Sequence, residues 1–155
     1  MNLFKLIVTF FFIGNVRIAP GTIASFVTVV IFYAFAKYFN VFSFMLTIMA
    51  ITLLSFVAVS AYTTDLLEKD KSEIVIDEVI GQSIALLPLL IFAENNTSPK
   101  LFMCIISFLF FRFFDIVKPF PINKIDKMNN TFGVILDDIL AGIFAALLLT
   151  FVLRL

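Results

Sequence analysis

Apolar runs separated by short polar breaks organise this chain from one end to the other. Residues 3–13 are largely apolar but too short to cross a bilayer alone, and residues 14–21 interrupt them. Residues 23–36 are apolar and continue to 39 past Lys37, whose stem can lie in lipid while its head reaches water. Residues 41–62 are long enough to span a hydrocarbon core of roughly 30 Å. Residues 63–73 are polar and charged. The next run, 74–92, is apolar except for Asp77, Glu78, Gln82 and Ser83, and a polar turn follows at 94–100. Residues 101–114 are apolar, with Arg112 near their end. A polar loop at 115–132 holds Lys118-Pro119-Phe120-Pro121, which stops a helix. The last run, 134–153, is apolar apart from Asp137 and Asp138. The pattern predicts an all-α, polytopic membrane bundle of about four to six helices, forming a single domain over residues 1–155.

Composition sharpens this picture. Apolar residues make up 62% of the chain and charged residues 14%, too apolar a balance for a small soluble domain to hide. The chain has no His, which excludes histidine-based acid–base chemistry and histidine metal ligands. Cys104 stands alone in an apolar run, so there is no disulfide framework and no zinc pattern. Lys+Arg and Asp+Glu balance at 11 each, and nothing points to nucleic acid. The opening residues carry Lys5 and an apolar stretch. Arg17 and Pro20 suit a loop better than a cleavage site, so this segment is expected to remain as a short or re-entrant helix.

The distribution of charge is more informative than its sum. Alternating the runs through a bilayer brings the breaks at 14–22, 63–73 and 115–132 to one side. That side then holds Arg17, Lys69, Lys71, Arg112, Lys118, Lys124 and Lys127, seven of the 11 basic residues, and every acidic residue except Glu94. The positive-inside tendency makes it cytoplasmic.

Two segments on that side look alike. Ile74-Val75-Ile76-Asp77-Glu78-Val79-Ile80-Gly81 and Val134-Ile135-Leu136-Asp137-Asp138-Ile139-Leu140-Ala141-Gly142 each run from three aliphatics through two carboxylates to a small residue. On a helix, Asp77 lies one turn from Gly81 and Asp138 one turn from Gly142. Small residues there let two membrane helices approach closely. Close approach would gather four carboxylates, which repel unless a cation sits among them. An all-oxygen site without His or Cys suits magnesium. A competing explanation is that acidic residues simply favour helix N-termini.

Arg112, Asp115 and Lys118 recur every three residues and share a face if their helix continues. Arg suits bidentate phosphate binding and Lys adds a point charge. In Ala19-Pro20-Gly21-Thr22, Thr22 can cap the following helix, and free N–H groups near Gly21 and Thr22 can hold an anion. Asp65 and Asp70 read either as further ligands or as a solvated face. There is no Cys-x5-Arg loop, no Asp-x-Asp-x-Thr motif and no Walker-type loop. Carboxylates at a membrane entry also suit an ion or solute transporter, although transport sites sit nearer mid-span.

At these residues the sequence resembles the phosphatidylglycerophosphatase A proteins of bacteria. The resemblance is carried by Ala19-Pro20-Gly21-Thr22, by Asp70-Lys71-Ser72-Glu73-Ile74-Val75-Ile76-Asp77-Glu78 with Gly81, by Phe111-Arg112-Phe113-Phe114-Asp115-Ile116-Val117-Lys118-Pro119 with Pro121, and by Gly133-Val134-Ile135-Leu136-Asp137-Asp138 with Ala141-Gly142. The four motifs appear in the family's order. Ala24 replaces a usual Gly, and Asn130-Thr131 a usual Gly-Gly pair. The resemblance implies a magnesium-dependent enzyme of the bacterial inner membrane that removes the terminal phosphate of phosphatidylglycerophosphate, its phospholipid substrate, to give phosphatidylglycerol. On that reading Asp77, Glu78, Asp137 and Asp138 hold the metal, Arg112 and Lys118 clamp the phosphate, and Asp115 either ligates the metal or orients Arg112. A non-catalytic membrane paralogue is the other alternative.

Overall fold

A computed structural model describes residues 3–38, 40–64, 72–92, 99–128 and 130–155. Asp65, Lys69, Asp70 and Lys71 lie outside the described residues. Among those described, helices α1 (Leu3–Val8), α2 (Pro20–Phe35), α3 (Val41–Tyr62), α4 (Ile76–Ile91), α5 (Leu101–Val117), α6 (Ile122–Asp126) and α7 (Thr131–Leu153) account for the regular structure, with single 3-10 turns after α1 and α2 and no strand. The five long helices match the expected all-α bundle.

Among the described residues, three segments are long and apolar enough to cross a membrane: Pro20–Tyr38, Val41–Tyr62 and Thr131–Leu153. Their outer faces expose Phe26, Val30, Met45, Leu53, Val57 and Leu147, as a lipid-facing surface should. Hydroxyls that would otherwise be unpaired in apolar surroundings turn back on their own helices. Ser25 donates to the Gly21 carbonyl at 2.8 Å, Thr28 to Ala24 at 2.8 Å and Ser55 to Ile51 at 2.7 Å.

Helix α4 is the centre. It packs against α2, α3, α5 and α7, and 11 of its 16 residues are buried. Its tightest neighbour is α7, through glycine. A Cβ on Gly81 would meet the Asp138 carbonyl at 2.6 Å, and one on Gly142 would run into the Gly81 backbone. The spacing of Asp77 to Gly81 and of Asp138 to Gly142 therefore does what it predicts, drawing the two acidic segments together.

The termini of α2, α4 and α7 and the ends of α3 and α5 lie at one end of the bundle. Several boundaries differ from the sequence reading. The polar loop expected at 115–132 starts later, because α5 runs on to Val117 and keeps Asp115 helical. The helix then stops at Lys118, which caps it in the left-handed region at φ 45°, and a further short helix, α6, follows. Helix α2 begins at Pro20 with Ala19 as its N-cap, so Thr22 sits inside the first turn and makes no cap. Proline at the first helical position, whose missing N–H would be unpaired anyway, moves the start forward. At the N-terminus only Leu3–Val8 is helical, because Phe10, Phe11 and Phe12 all adopt positive φ. This short segment is tied down by the Val75 N–H, which donates to the Val8 carbonyl at 2.9 Å.

Helix α7 begins at Thr131, earlier than the apolar run, because Asn130 caps it. The Asn130 side chain accepts from the Gly133 N–H at 2.8 Å. Asn130 thus does positive work where the family usually carries glycine. Asn130→Ala is expected to cost about 1 kcal/mol of stability, and Asn130→Gly only a few tenths, in thermal unfolding in detergent.

Candidate active site

The site is built where α4 and α7 cross. Asp77 and Glu78 fall in the first turn of α4, where the helix's positive end favours carboxylates. The acidic pair of α7 has no such excuse. With the helix starting at Thr131, Asp137 and Asp138 lie beyond its first turn, and the helix-start explanation fails for them. Asp77, Asp137 and Asp138 are all buried, at 7%, 6% and 4% exposure. Buried carboxylates without a helix-end rationale call for a partner.

Consecutive helical residues point about 100° apart, so neighbouring carboxylates reach one spot only where their side chains bend toward each other. The α4 pair does so and the α7 pair does not. Oxygens of Asp77, Glu78 and Asp138 come within 4.8 Å of one another. Asp115 lines the same cleft and is ion-paired with Arg112. Asp137 points elsewhere and accepts from the Lys118 ammonium at 2.7 Å. All five still line one cleft of about 270 Å³, together with Gly21, Thr22, Arg112 and Lys118. The sequence-predicted acidic and basic site residues of α4, α5 and α7, with Gly21 and Thr22, therefore share one cleft, while Asp65 and Asp70 lie outside the described residues; the tight carboxylate group is Asp77, Glu78 and Asp138, with Asp137 to one side.

The cationic groups are already engaged. Arg112 Nη1 is 2.6 Å from Asp115, one turn on. The same nitrogen is 3.5 Å from Ser25 Oγ on α2. Arg112 Nε is buried and unpartnered, as are Glu78 Oε2 and Asp137 Oδ1. Lys118 reaches back from the end of α5 to both Asp137 on α7 and Asp126 on α6. Burial alone would lower its pKa. The hydrogen bonds to Asp126 and Asp137 outweigh that and raise it, so the ammonium stays charged.

Gly21 is needed for a close approach. A Cβ there would collide with the Glu78 carboxyl, so glycine lets the start of α2 close one wall of the cleft. Ala19 and Lys118, both lining the cleft, hold left-handed backbone at φ 46° and φ 45°. Non-glycine residues rarely do so, and two at one cleft mark a shaped site. Sequence reasoning missed Asp126 and Ser25. Asp126 gave no signal beyond lying in a charged loop. Ser25 could have been found as the residue one turn beyond Gly21.

The fold is that of a membrane protein: a helical bundle with helices able to cross a bilayer and a small acidic cleft, lined also by cationic groups, at one end. The chain belongs to the phosphatidylglycerophosphatase A family, whose profile matches residues 6–153. It is a membrane lipid phosphatase. It is 32% identical over 148 residues to "Phosphatidylglycerophosphatase A" of Haemophilus influenzae, covering 95% of this chain and 86% of that one. It is 33% identical over 149 residues to "Putative phosphatidylinositol-3-phosphatase" of Bacteroides thetaiotaomicron, covering 93% and 89%. No solved structure matches the chain significantly. Ala24, which replaces the usual glycine, is fully buried in the core formed by α2, α3 and α4, so its methyl is accommodated.

Proposed function

We propose that this protein hydrolyses the terminal phosphate monoester of phosphatidylglycerophosphate, giving phosphatidylglycerol, with magnesium held by Asp77, Glu78 and Asp138. The observation that carries the reading is the cluster of those three carboxylates beside Arg112 and Lys118 in one cleft. Six carboxylates and two cationic groups line that cleft, so a phosphate dianion is repelled unless divalent charge enters with it. The donors fit such an ion: all are oxygens, three lie within 4.8 Å of one another, and Glu78 Oε2 lacks any protein partner. Bound there, magnesium would offset phosphoryl charge and acidify water.

The chain's own groups divide the remaining work. Arg112 offers a buried, unpartnered Nε–H towards an incoming oxyanion, and Asp115 fixes the guanidinium from the other side. Lys118 brings a second positive charge to the cleft. Gly21 and Thr22 contribute the first turn of α2, whose N–H groups favour anions. The acyl chains remain in the bilayer, since only the headgroup needs to reach the bundle's end.

The cytoplasmic face is the proposed side of reaction. Among the described basic residues, Lys5, Arg17, Arg112, Lys118, Lys124 and Lys127 lie at the cleft end of the bundle, and Lys37, Lys100 and Arg154 at the other. The location would then be the bacterial inner membrane.

The test is phosphate release by purified protein in mixed micelles from a panel holding phosphatidylglycerophosphate and phosphatidylinositol 3-phosphate. The name of the Bacteroides relative gives the second lipid its place. Phosphatidylglycerophosphate is expected to be the better substrate. Chelation should abolish release and added magnesium restore it. Release that survives chelation, or none from any lipid, would overturn the proposal.

A further inference from the structure

Lys118 is unusual among the cleft's groups in being bound by two carboxylates from different helices. Both Asp126 and Asp137 lie within ion-pair distance of its ammonium. A phosphate cannot use this charge fully while both carboxylates hold it, because the Lys–Asp–Asp group is negative overall. One carboxylate has to yield. The two are not equally free to do so. The Asp137 side chain is 9% exposed and projects from the interior of a 23-residue helix wedged against α4. The Asp126 side chain is 32% exposed and ends a five-residue helix that follows a left-handed turn. Moving Asp126 into water costs little, whereas moving Asp137 would strip a buried carboxylate of its only cation.

We infer that Asp126 is a positioning residue that holds Lys118 in the cleft and gives way to a phosphate oxygen. This rests on the reading of the cleft as a phosphate site. In the resting protein Asp126 occupies the acceptor position on the ammonium that phosphate later takes. It keeps the Lys118 side chain extended across the cleft and weakens the hold on phosphate, including the inorganic phosphate left after hydrolysis.

Two readouts test this on the full-length protein in detergent with magnesium present. One is inhibition of lipid hydrolysis by inorganic phosphate. The other is the rise in Tm that inorganic phosphate produces, which needs no turnover. Asp126→Asn removes the competing charge and should lower the inhibition constant of phosphate about tenfold, with a larger phosphate-induced rise in Tm. Asp126→Glu keeps the charge and should behave as the unaltered protein does. Adding Lys118→Met to Asp126→Asn should remove the gain. Should Asp126→Asn fold poorly, Asp126→Ser serves at this partly exposed position and carries the same expectation.

An Asp126→Asn protein that loses thermal stability while its phosphate inhibition constant stays unchanged would make Asp126 a mere anchor for α6 and overturn the inference. So would a gain that persists without Lys118. Failure of the unaltered protein to release phosphate from any lipid would instead overturn the proposed function, and the phosphate-induced Tm shifts would still be measurable.

Discussion

Asp77→Asn is expected to reduce phosphate release by about a thousandfold or more while leaving the protein folded. The two effects should move in opposite directions, which makes the test sharp. Asp77 is 7% exposed and its carboxylate lies beside those of Glu78 and Asp138. Among the cleft's cations, Arg112 is committed to Asp115 and Lys118 to Asp126 and Asp137. Without a bound cation, Asp77 adds mainly repulsion and desolvation cost, so its neutral amide should match or exceed the stability of the parent protein. With magnesium the order should reverse. The parent gains Tm by binding the ion and the variant gains much less, because one of three close oxygen donors has lost its charge. Thermal unfolding with and without magnesium, beside phosphate release, measures both halves. A variant that keeps full activity and the full magnesium response would remove Asp77 from the metal site.

The sequence made the architecture and the membership of the site readable, but not its internal wiring. The apolar runs set helices of nearly the right length because lipid accepts what water would not. The repeated aliphatic, acidic and small pattern predicted the α4–α7 contact, because close approach of two helices has few solutions besides glycine. What escaped was decided by local geometry. Asp137 and Asp138 look equivalent in sequence, yet Lys118 engages Asp137 to one side, and only Asp138 meets Asp77 and Glu78. Asp115 was left open between two roles. It is ion-paired with Arg112 one turn away, which the continuation of α5 past Asp115 to Val117 permits. Asp126 was invisible because its partner Lys118 is reached only through a left-handed cap and a second short helix, neither of which the charge pattern announces. The same turn explains why Lys118 does not simply extend the Arg112–Asp115 face as the three-residue spacing suggests.

That wiring depends on how closely two helices lie, and Gly142→Ala should expose the dependence. The added methyl would enter the space of the Gly81 backbone, and a backbone carbonyl cannot swing aside as a side chain can. Helices α4 and α7 must separate or rotate, at an expected cost of about 1–3 kcal/mol in thermal unfolding. The effect on activity should be larger in proportion. Asp77 and Glu78 ride on α4 and Asp138 on α7, so any shift between the helices opens the carboxylate cluster directly. A displacement of about 1 Å at a catalytic constellation is enough to lose about a hundredfold in rate. Weaker magnesium stabilisation should accompany the loss, since the three oxygens would no longer converge. Leu147→Ala on the same helix provides the contrast. Its side chain is 64% exposed on the lipid side, and its removal should change stability by less than about 0.5 kcal/mol and leave hydrolysis intact. If Gly142→Ala instead hydrolyses lipid at the parent rate, the helices have room that this packing denies them. The carboxylates would then be gathered by something other than the glycine contact.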